Sequence, residues 1–477
     1  MSDLLAWPVV GAVLRWRHLR TTTRTVLLLV AAVLVWHGLF GPQFAPTNLA
    51  TLATWIHYRG LLIGVLLVAG NGFCHACPMI LARNLTRKVR APTLRWPGRL
   101  HGKWLALPLF AAVLFAYEVF DLWQNPAATA WLIVGYFAGA IVVDTLFRGA
   151  SFCKHVCPVG QFNFVASTLS PLEIRSKDQS VCASCQTFDC LKGRRAPEAP
   201  SVILQRGCEL HLFVPTKVGN LECTFCLDCV QACPYDNVAL ATRVPGEELS
   251  DDRRRSVIGR PSRRLDFAAL ALLFTFGGLV NAFAMTAPVQ AVERWLAIGT
   301  HATSEGQVLA VLFVFGLGVA PLALSAAAGY ITHLVGGARA TFTPVRHIAA
   351  SYAYALIPIG CGVWLAHYAF HFLTGLGAIV PVTQGAAIDA FGWAILGEPN
   401  WTWIGLRTGL VFPLQVGAVL LGGFGSTLLI QRISERDYRG HAAEAGVPWM
   451  VIAVGLTVLA LWILSQPMDM RITGALS

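Results

Sequence analysis

Nine stretches of about twenty apolar residues dominate this 477-residue chain, near 24–41, 55–73, 104–122, 129–148, 265–286, 307–334, 347–373, 404–430 and 447–465. A helix that crosses the hydrocarbon core of a bilayer needs about 20 such residues. In lipid every backbone N–H and C=O must find its partner inside the protein, and a helix satisfies them within one segment. Only 13% of the residues are charged and 55% are hydrophobic. A soluble domain carries about 25% charged residues, so a soluble globular enzyme is excluded. Disorder needs low hydrophobicity and high charge, so it is excluded as well. The fold class expected is a mainly α-helical polytopic membrane protein of about nine spans. Arg15, Arg17, Arg20 and Arg24 precede the first span, and no small-residue cleavage pattern follows promptly, so no cleavable signal peptide is expected.

The basic residues set a direction. Arg83, Arg87, Lys88, Arg90, Arg95, Arg99 and Lys103 crowd segment 83–103, while 339–346 holds Arg339 and Arg346 and 431–446 holds Arg432, Arg436 and Arg439. The alternate loops are poor in them: 42–54 and 122–130 have none, and 287–305 has only Arg294. Lys and Arg accumulate in cytoplasmic loops, which puts the N-terminus inside and the C-terminus outside. The net charge of +11 is thus a topology signal, and no nucleic-acid partner is expected. The same rule places the long polar segment 149–264 in the cytoplasm. The expected organisation is a four-span membrane domain over 1–148, a cytoplasmic insert over 149–264 and a five-span membrane module over 265–477. Lipid is the surrounding partner, and the location is a bacterial inner membrane.

Twelve of the thirteen cysteines lie between residues 74 and 233. Disulfides are rare in the cytoplasm, so clustered cysteines there argue for metal ligation. The strongest run is Cys223-Thr-Phe-Cys226-Leu-Asp-Cys229-Val-Gln-Ala-Cys233-Pro234, which matches the bacterial ferredoxin pattern C-x2-C-x2-C-x3-C-P without departure. Three thiolates on a tight loop reach three irons of one cubane, and the fourth, past a short helical turn, serves a second cluster. A four-cysteine zinc knuckle is the bland alternative, but zinc sites usually pair two separate C-x2-4-C units. Upstream lie Cys182-Ala-Ser-Cys185-Gln-Thr-Phe-Asp-Cys190 and, further on, Cys208. Cys182, Cys185, Cys190 and Cys233 are assigned to one [4Fe–4S] cluster, and Cys208, Cys223, Cys226 and Cys229 to the other. The insert 149–264 is accordingly expected to be a ferredoxin-like α+β domain with two clusters. A spare buried thiol is the bland reading of Cys208.

Two of the first four spans share an ending. Span two runs into Phe73-Cys74-His75-Ala76-Cys77-Pro78, and span four into Phe152-Cys153-Lys154-His155-Val156-Cys157-Pro158. If the two hairpins pack side by side, four thiols meet at the cytoplasmic membrane edge. There Cys74, Cys77, Cys153 and Cys157 could ligate a third cluster or a single metal, form redox-active disulfides, or serve as packing residues. Neither site is C-x-x-C-H, so covalent haem attachment is not indicated. Cys361 lies mid-span and reads as an inert buried thiol.

Span endings of the Cys-x2/3-Cys-Pro type followed by a two-cluster ferredoxin segment resemble the NapH/NosR/CcoG-type membrane polyferredoxins. The resemblance covers roughly residues 20–245. It implies 4Fe–4S binding and service to periplasmic nitrate reduction, nitrous-oxide reduction or cytochrome oxidase assembly. Two residues separate Cys74 and Cys77 where the family usually has three, and five further spans follow. Substrate and partner therefore do not carry over directly.

The C-terminal module offers Trp364-Leu-Ala-His367-Tyr368-Ala-Phe-His371. His367 and His371, at i and i+4, share one helix face. His37 and His57 fall near the outer ends of spans one and two. Histidines within spans are candidate functional groups, and a b-type haem, a metal such as copper or a quinol pocket would each use them. Bonding to backbone carbonyls at the interface is the bland reading. Glu118 and Asp121, at an outer end, read either as solvated carboxylates or as proton acceptors from a quinol, with Asp144 also in a span. Trp401 and Trp403 read as interface anchors.

The function expected is membrane electron transfer through two [4Fe–4S] clusters, between a quinol pool or a cytoplasmic reductant and a respiratory or periplasmic protein partner. The alternative is an assembly factor that reduces copper or thiols during maturation of a metalloenzyme. A redox-driven transporter-like module in 265–466 is a third reading, which no broken-helix ion site supports.

Overall fold

The structure, a computed structural model, describes residues 2–199 and 202–468. Among these, eight helices are long and apolar enough to cross a membrane: Leu19–Phe40, Leu49–Ala69, Pro126–Leu146, Leu265–Phe283, Glu305–Val335, Val345–Thr374, Thr408–Asp437 and Ala442–Ser465. The chain is a multi-pass membrane protein. The third expected span, 104–122, falls short of this length. Its helix is Ala106–Val119, of 14 residues, which at 1.5 Å per residue covers about 21 Å of a core about 30 Å thick. Lys103, just before it, is drawn away to Glu222 and to the carbonyl of Lys154. Its other end is broken at Asp121, which takes φ 41.

The chain packs as two compact units. The first comprises Met1–Leu29, Val65–Ala106 and Phe137–Arg264. It carries two small antiparallel sheets, Leu172–Ser176 with Val238–Thr242 and Arg194–Arg195 with Ile203–Gln205. The residues of Val238–Thr242 are almost entirely buried, in keeping with the unbroken apolar run Val-Ala-Leu-Ala.

The second unit comprises Val30–Gly64, Leu107–Tyr136 and Leu265–Ser477. Helices Leu265–Phe283 and Val345–Thr374 form its centre: 83% and 89% of their apolar windows are buried, against 17–39% in the other six long helices. The Trp364 indole N–H donates to the Phe274 carbonyl at 2.8 Å and joins these two helices. Thr408–Asp437 packs closely on Val345–Thr374 through small residues. A side chain at Gly362 would meet the Ala418 carbonyl oxygen at 2.6 Å, and one at Gly422 would meet that of Pro358 at 2.6 Å. Lipid offers little hydrophobic drive between helices, so such close backbone approach supplies the packing.

Candidate functional site

The cysteines of the first unit are gathered by its β-pairing. Antiparallel register sets Ser176 opposite Val238, which brings the chain just after Ser176 beside the chain just before Val238. Asn237 then reaches two thiols. Its side-chain N–H donates to Cys182 Sγ at 3.2 Å and its backbone N–H to Cys233 Sγ at 3.4 Å. Asp178 caps the helix Gln179–Ser184 by accepting from the Ser180 N–H, which presents Cys182 on that helix. One cavity is lined by Cys182, Cys185, Cys190 and Cys233, with Phe188 and Phe213 beside them. Phe188 sits at φ 54 and its backbone N–H bonds to Cys185, holding that thiol below its ordinary pKa. Burial pushes Cys190 up to about 11.

Cys223 and Cys226 lie on a loop, and Cys229 on the short helix Asp228–Ala232 that follows it; the intervening Phe225 and Leu227 take φ 53 and 59. Non-glycine residues in this region cost about 1–3 kcal/mol each and persist where the surroundings over-determine them. Here the surroundings are visible. Gly70 has φ 64, and a side chain there would meet the Phe225 ring at 2.4 Å. Asn71 donates to the Cys223 carbonyl at 3.0 Å, and His75 Nδ1 lies 3.0 Å from the Phe225 carbonyl. Cys208 joins this loop. Burial pushes its thiol up to about 11, and the charge of Cys223 adds to the rise. Burial also raises Cys226 and Cys229 well above the ordinary thiol value, with Cys208 a contributing neighbour of both.

The two Cys-Pro endings meet as well. Burial raises Cys157, and the charges of Cys77 and Cys74 add to it; Cys153 is raised by burial, then by Asp144, Cys157 and Cys77. The one-residue difference in their spacing has a structural origin. Phe152–Val156 forms a π-turn closed by the Cys157 N–H to the Phe152 carbonyl at 2.8 Å, whereas Gly72–Ala76 is an α-turn. The wider turn takes up the extra residue between Cys153 and Cys157, and π-turns of this kind recur at functional sites. Asn163 donates to Cys74 Sγ at 3.4 Å and the Gly160 N–H to Cys157 Sγ at 3.2 Å.

In the second unit His367 and His371 lie with ring centroids 5.0 Å apart, and among the described residues the Nε2 of each is buried without a hydrogen-bond partner. His57 lies within bonding distance of the carbonyls of Leu52 and Leu376. His37, fully buried, accepts from the Leu49 N–H at 3.0 Å and lies 3.1 Å from Asp389. Glu118 and Asp121 are not solvated. Both are buried, and Asn281 donates to Glu118 at 3.4 Å. Cys361 is buried, and Trp401 and Trp403 are exposed.

Three features escaped the sequence reading. Arg59 lies inside the second apolar stretch, and its guanidinium stacks over Trp55, Tyr117 and Tyr368 at 4.7–5.0 Å. A lone arginine in an apolar run was the available signal. Arg83 is buried between Asp144 at 3.4 Å and Glu209 at 2.8 Å, although its place in a basic loop reads as topology alone. Gly70 and Asn71 carry no spacing signal. Among the described residues, no three His, Cys, Asp or Glu side chains converge closely enough to share one metal ion. A cubane asks for a different arrangement, with thiolates spread around it on separate irons.

Comparison with known proteins finds partial relatives, three of which are NosR, NapH and YccM. The regulatory protein NosR of Pseudomonas aeruginosa is 29% identical over 187 residues, which are 34% of this chain and 24% of NosR. The ferredoxin-type protein NapH of Escherichia coli is 29% identical over 129 residues, 25% of this chain and 42% of NapH. YccM of Escherichia coli, whose name carries a provisional electron-transport assignment, is 31% identical over 94 residues, 20% of this chain and 22% of YccM. These matches bear out the resemblance to NapH- and NosR-type proteins. The chain spans less than half the length of each of these relatives. No protein-family model matches the chain, and no solved structure does.

Proposed function

We propose that this chain is a membrane electron-transfer protein whose segment 149–264 is a ferredoxin-like insert holding two [4Fe–4S] clusters. Cys182, Cys185, Cys190 and Cys233 would hold one and Cys208, Cys223, Cys226 and Cys229 the other. Iron-sulfur clusters, when bound, supply one-electron transfer over a wide range of potentials. The observation that carries the reading is the lining of one cavity by four thiols that come from two distant stretches of sequence. The donor chemistry suits the group. Backbone and Asn N–H groups point at Cys182, Cys208 and Cys233, and hydrogen bonds to sulfur tune such centres. Burial raises the Cys190, Cys208, Cys226 and Cys229 thiols, and a bound cation deprotonates a coordinating thiol outright.

Cys74, Cys77, Cys153 and Cys157 form a further site, for a third cluster or a metal or as redox thiols. The electron donor is a quinol pool or a cytoplasmic reductant, and the acceptor a respiratory or periplasmic protein. His367 and His371, with Nε2 atoms free to bond a ligand, are the residues we assign to quinol, haem or metal. The Lys and Arg asymmetry of the loops supports a cytoplasmic insert, and the spans would lie in an inner membrane. The names of NapH, a ferredoxin-type protein, and of YccM, with its electron-transport assignment, agree with this class of protein. The test is low-temperature EPR with iron, sulfide and haem quantitation on the anaerobically purified chain. About 8 iron and about 8 sulfide per chain are expected from this ligation pattern. Zinc without acid-labile sulfide would end the reading.

A further inference from the structure

Beside the thiol groups, the first unit holds a second cavity, of about 200 Å³, with a strongly basic wall. Arg17, Arg20, Arg24, Arg83 and Arg206 line it, with Glu209 and Asp228 as its acids. Asp228, Glu209 and, behind the wall, Asp144 offset three of the five positive charges, which leaves a formal excess of two. Both lining carboxylates are already engaged. Asp228 is held by Arg20 through two bonds of 2.5 and 2.7 Å. Glu209 is gripped by Arg83 at 2.8 Å and Arg206 at 3.2 Å. Among the described residues neither Arg17 nor Arg24 has a carboxylate within ion-pair distance. Arg24 is 7% exposed, and its Nε donates to the His75 carbonyl at 3.0 Å. A buried guanidinium without a counter-charge is costly to hold, and planar guanidinium groups are suited to phosphoryl oxygens.

The geometry points to a binding site for a phosphoryl-bearing anion in this cavity, with Arg17 and Arg24 as its principal contacts and Arg20, Arg83 and Arg206 as the surrounding charge. Two of the walls are Cys153 and Cys226, so a bound anion would sit next to one thiol from each of two cysteine groups. Arg17 lies just before, and Arg20 and Arg24 in the first turns of, the candidate span Leu19–Phe40, within reach of both a lipid headgroup and a soluble phosphate. The chemistry is the same for either source.

Isothermal titration of the full chain in detergent, delipidated, separates them. One arm adds inorganic pyrophosphate and the other short-chain phosphatidylglycerol. Saturable one-site binding of either probe is expected, weakening as salt rises. Loss of one charge-assisted contact in Arg17→Gln or Arg24→Gln should weaken it about tenfold or more. Arg17 is exposed, so its variant folds even where a change at buried Arg24 does not. Arg439→Gln, outside the cavity, should change nothing. Pyrophosphate binding identifies a soluble source and phosphatidylglycerol alone a lipid headgroup; either upholds the site. Absence of binding by both probes, or equal weakening by Arg17→Gln and Arg439→Gln, overturns it. The arginines would then serve only to offset thiolate charge.

Discussion

The backbone N–H of Cys208 donates to the carbonyl oxygen of Cys190 over 3.0 Å. This bond ties a member of one four-thiol set to a member of the other, although 17 residues separate them in sequence. Two redox groups held this way would be close and fixed in orientation. Cys226→Ser is expected to remove one EPR signal and leave the second, with loss of any magnetic coupling between the two. Cys185→Ser should remove the other. Loss of both signals in each variant would show that the eight cysteines do not divide as assigned.

Gly70 is the support of the Phe225 loop. Its φ of 64 and the 2.4 Å approach of the Phe225 ring leave no room for a methyl group. Gly70→Ala should destabilise the chain by about 1–3 kcal/mol, the usual cost of overpacking, and lower cluster occupancy. Phe225→Ala in the same chain should recover part of the loss, which thermal unfolding monitored by cluster absorbance would read. No recovery would place the defect in the backbone angle alone.

Arg83 is buried between Asp144 and Glu209, with Arg83 and Asp144 each 1% exposed. Removing one member of such a group typically costs about 3–5 kcal/mol, because the remaining charges are left unpaired. Arg83→Gln is expected to lose stability on that scale, and Arg83→Gln with Glu209→Gln to regain part of it. Thermal unfolding of the single and double variants checks both.

The same contact has a pH dependence. Burial alone would raise the Glu209 carboxyl, but Arg83, then Arg206 and Arg87, outweigh it and hold the group at about 2. A carboxylate depressed in the folded state adds stability that is present above its unfolded pKa and is lost as pH falls through the folded value. The wild-type chain should therefore lose stability between about pH 4.5 and about pH 2. In Glu209→Gln that part of the slope should vanish. An unchanged slope would mean that other acids carry it.

Reporter fusions test the direction of the chain. Fusions after residue 95, within 160–250 and after residue 436 should report the cytoplasm, and fusions near 300 and 390 the periplasm, from the Lys and Arg asymmetry of the loops; this requires the segment around the short helix Ala106–Val119 to carry the chain across as well. A periplasmic report from residue 220 would reverse every span and move the cysteine insert to the other side.

The parts of this protein that depend on local pattern were legible from the sequence alone. Apolar length marks the membrane helices, because a span satisfies its own backbone bonds and needs no distant partner. The third stretch builds a helix shorter than its apolar length, since Lys103 before it is held by Glu222 and the chain turns at Asp121 within it. Cysteine spacing likewise singled out Cys182, Cys185, Cys190 and Cys233, the thiols that line one cavity, whereas Cys208 carries no spacing signal of its own. The burial of Glu118 and Asp121, the stacking of Arg59 between aromatic rings and the pairing of Arg83 with Asp144 and Glu209 were decided by the tertiary structure. A charge in a sequence carries no mark of the carboxylate or ring that will face it, and apart from Trp55, four residues from Arg59, those partners lie 58 to 309 residues away. The basic cavity is of the same kind. Its arginines come from residues 17–24, 83 and 206, and only packing turns three separate basic stretches into one wall.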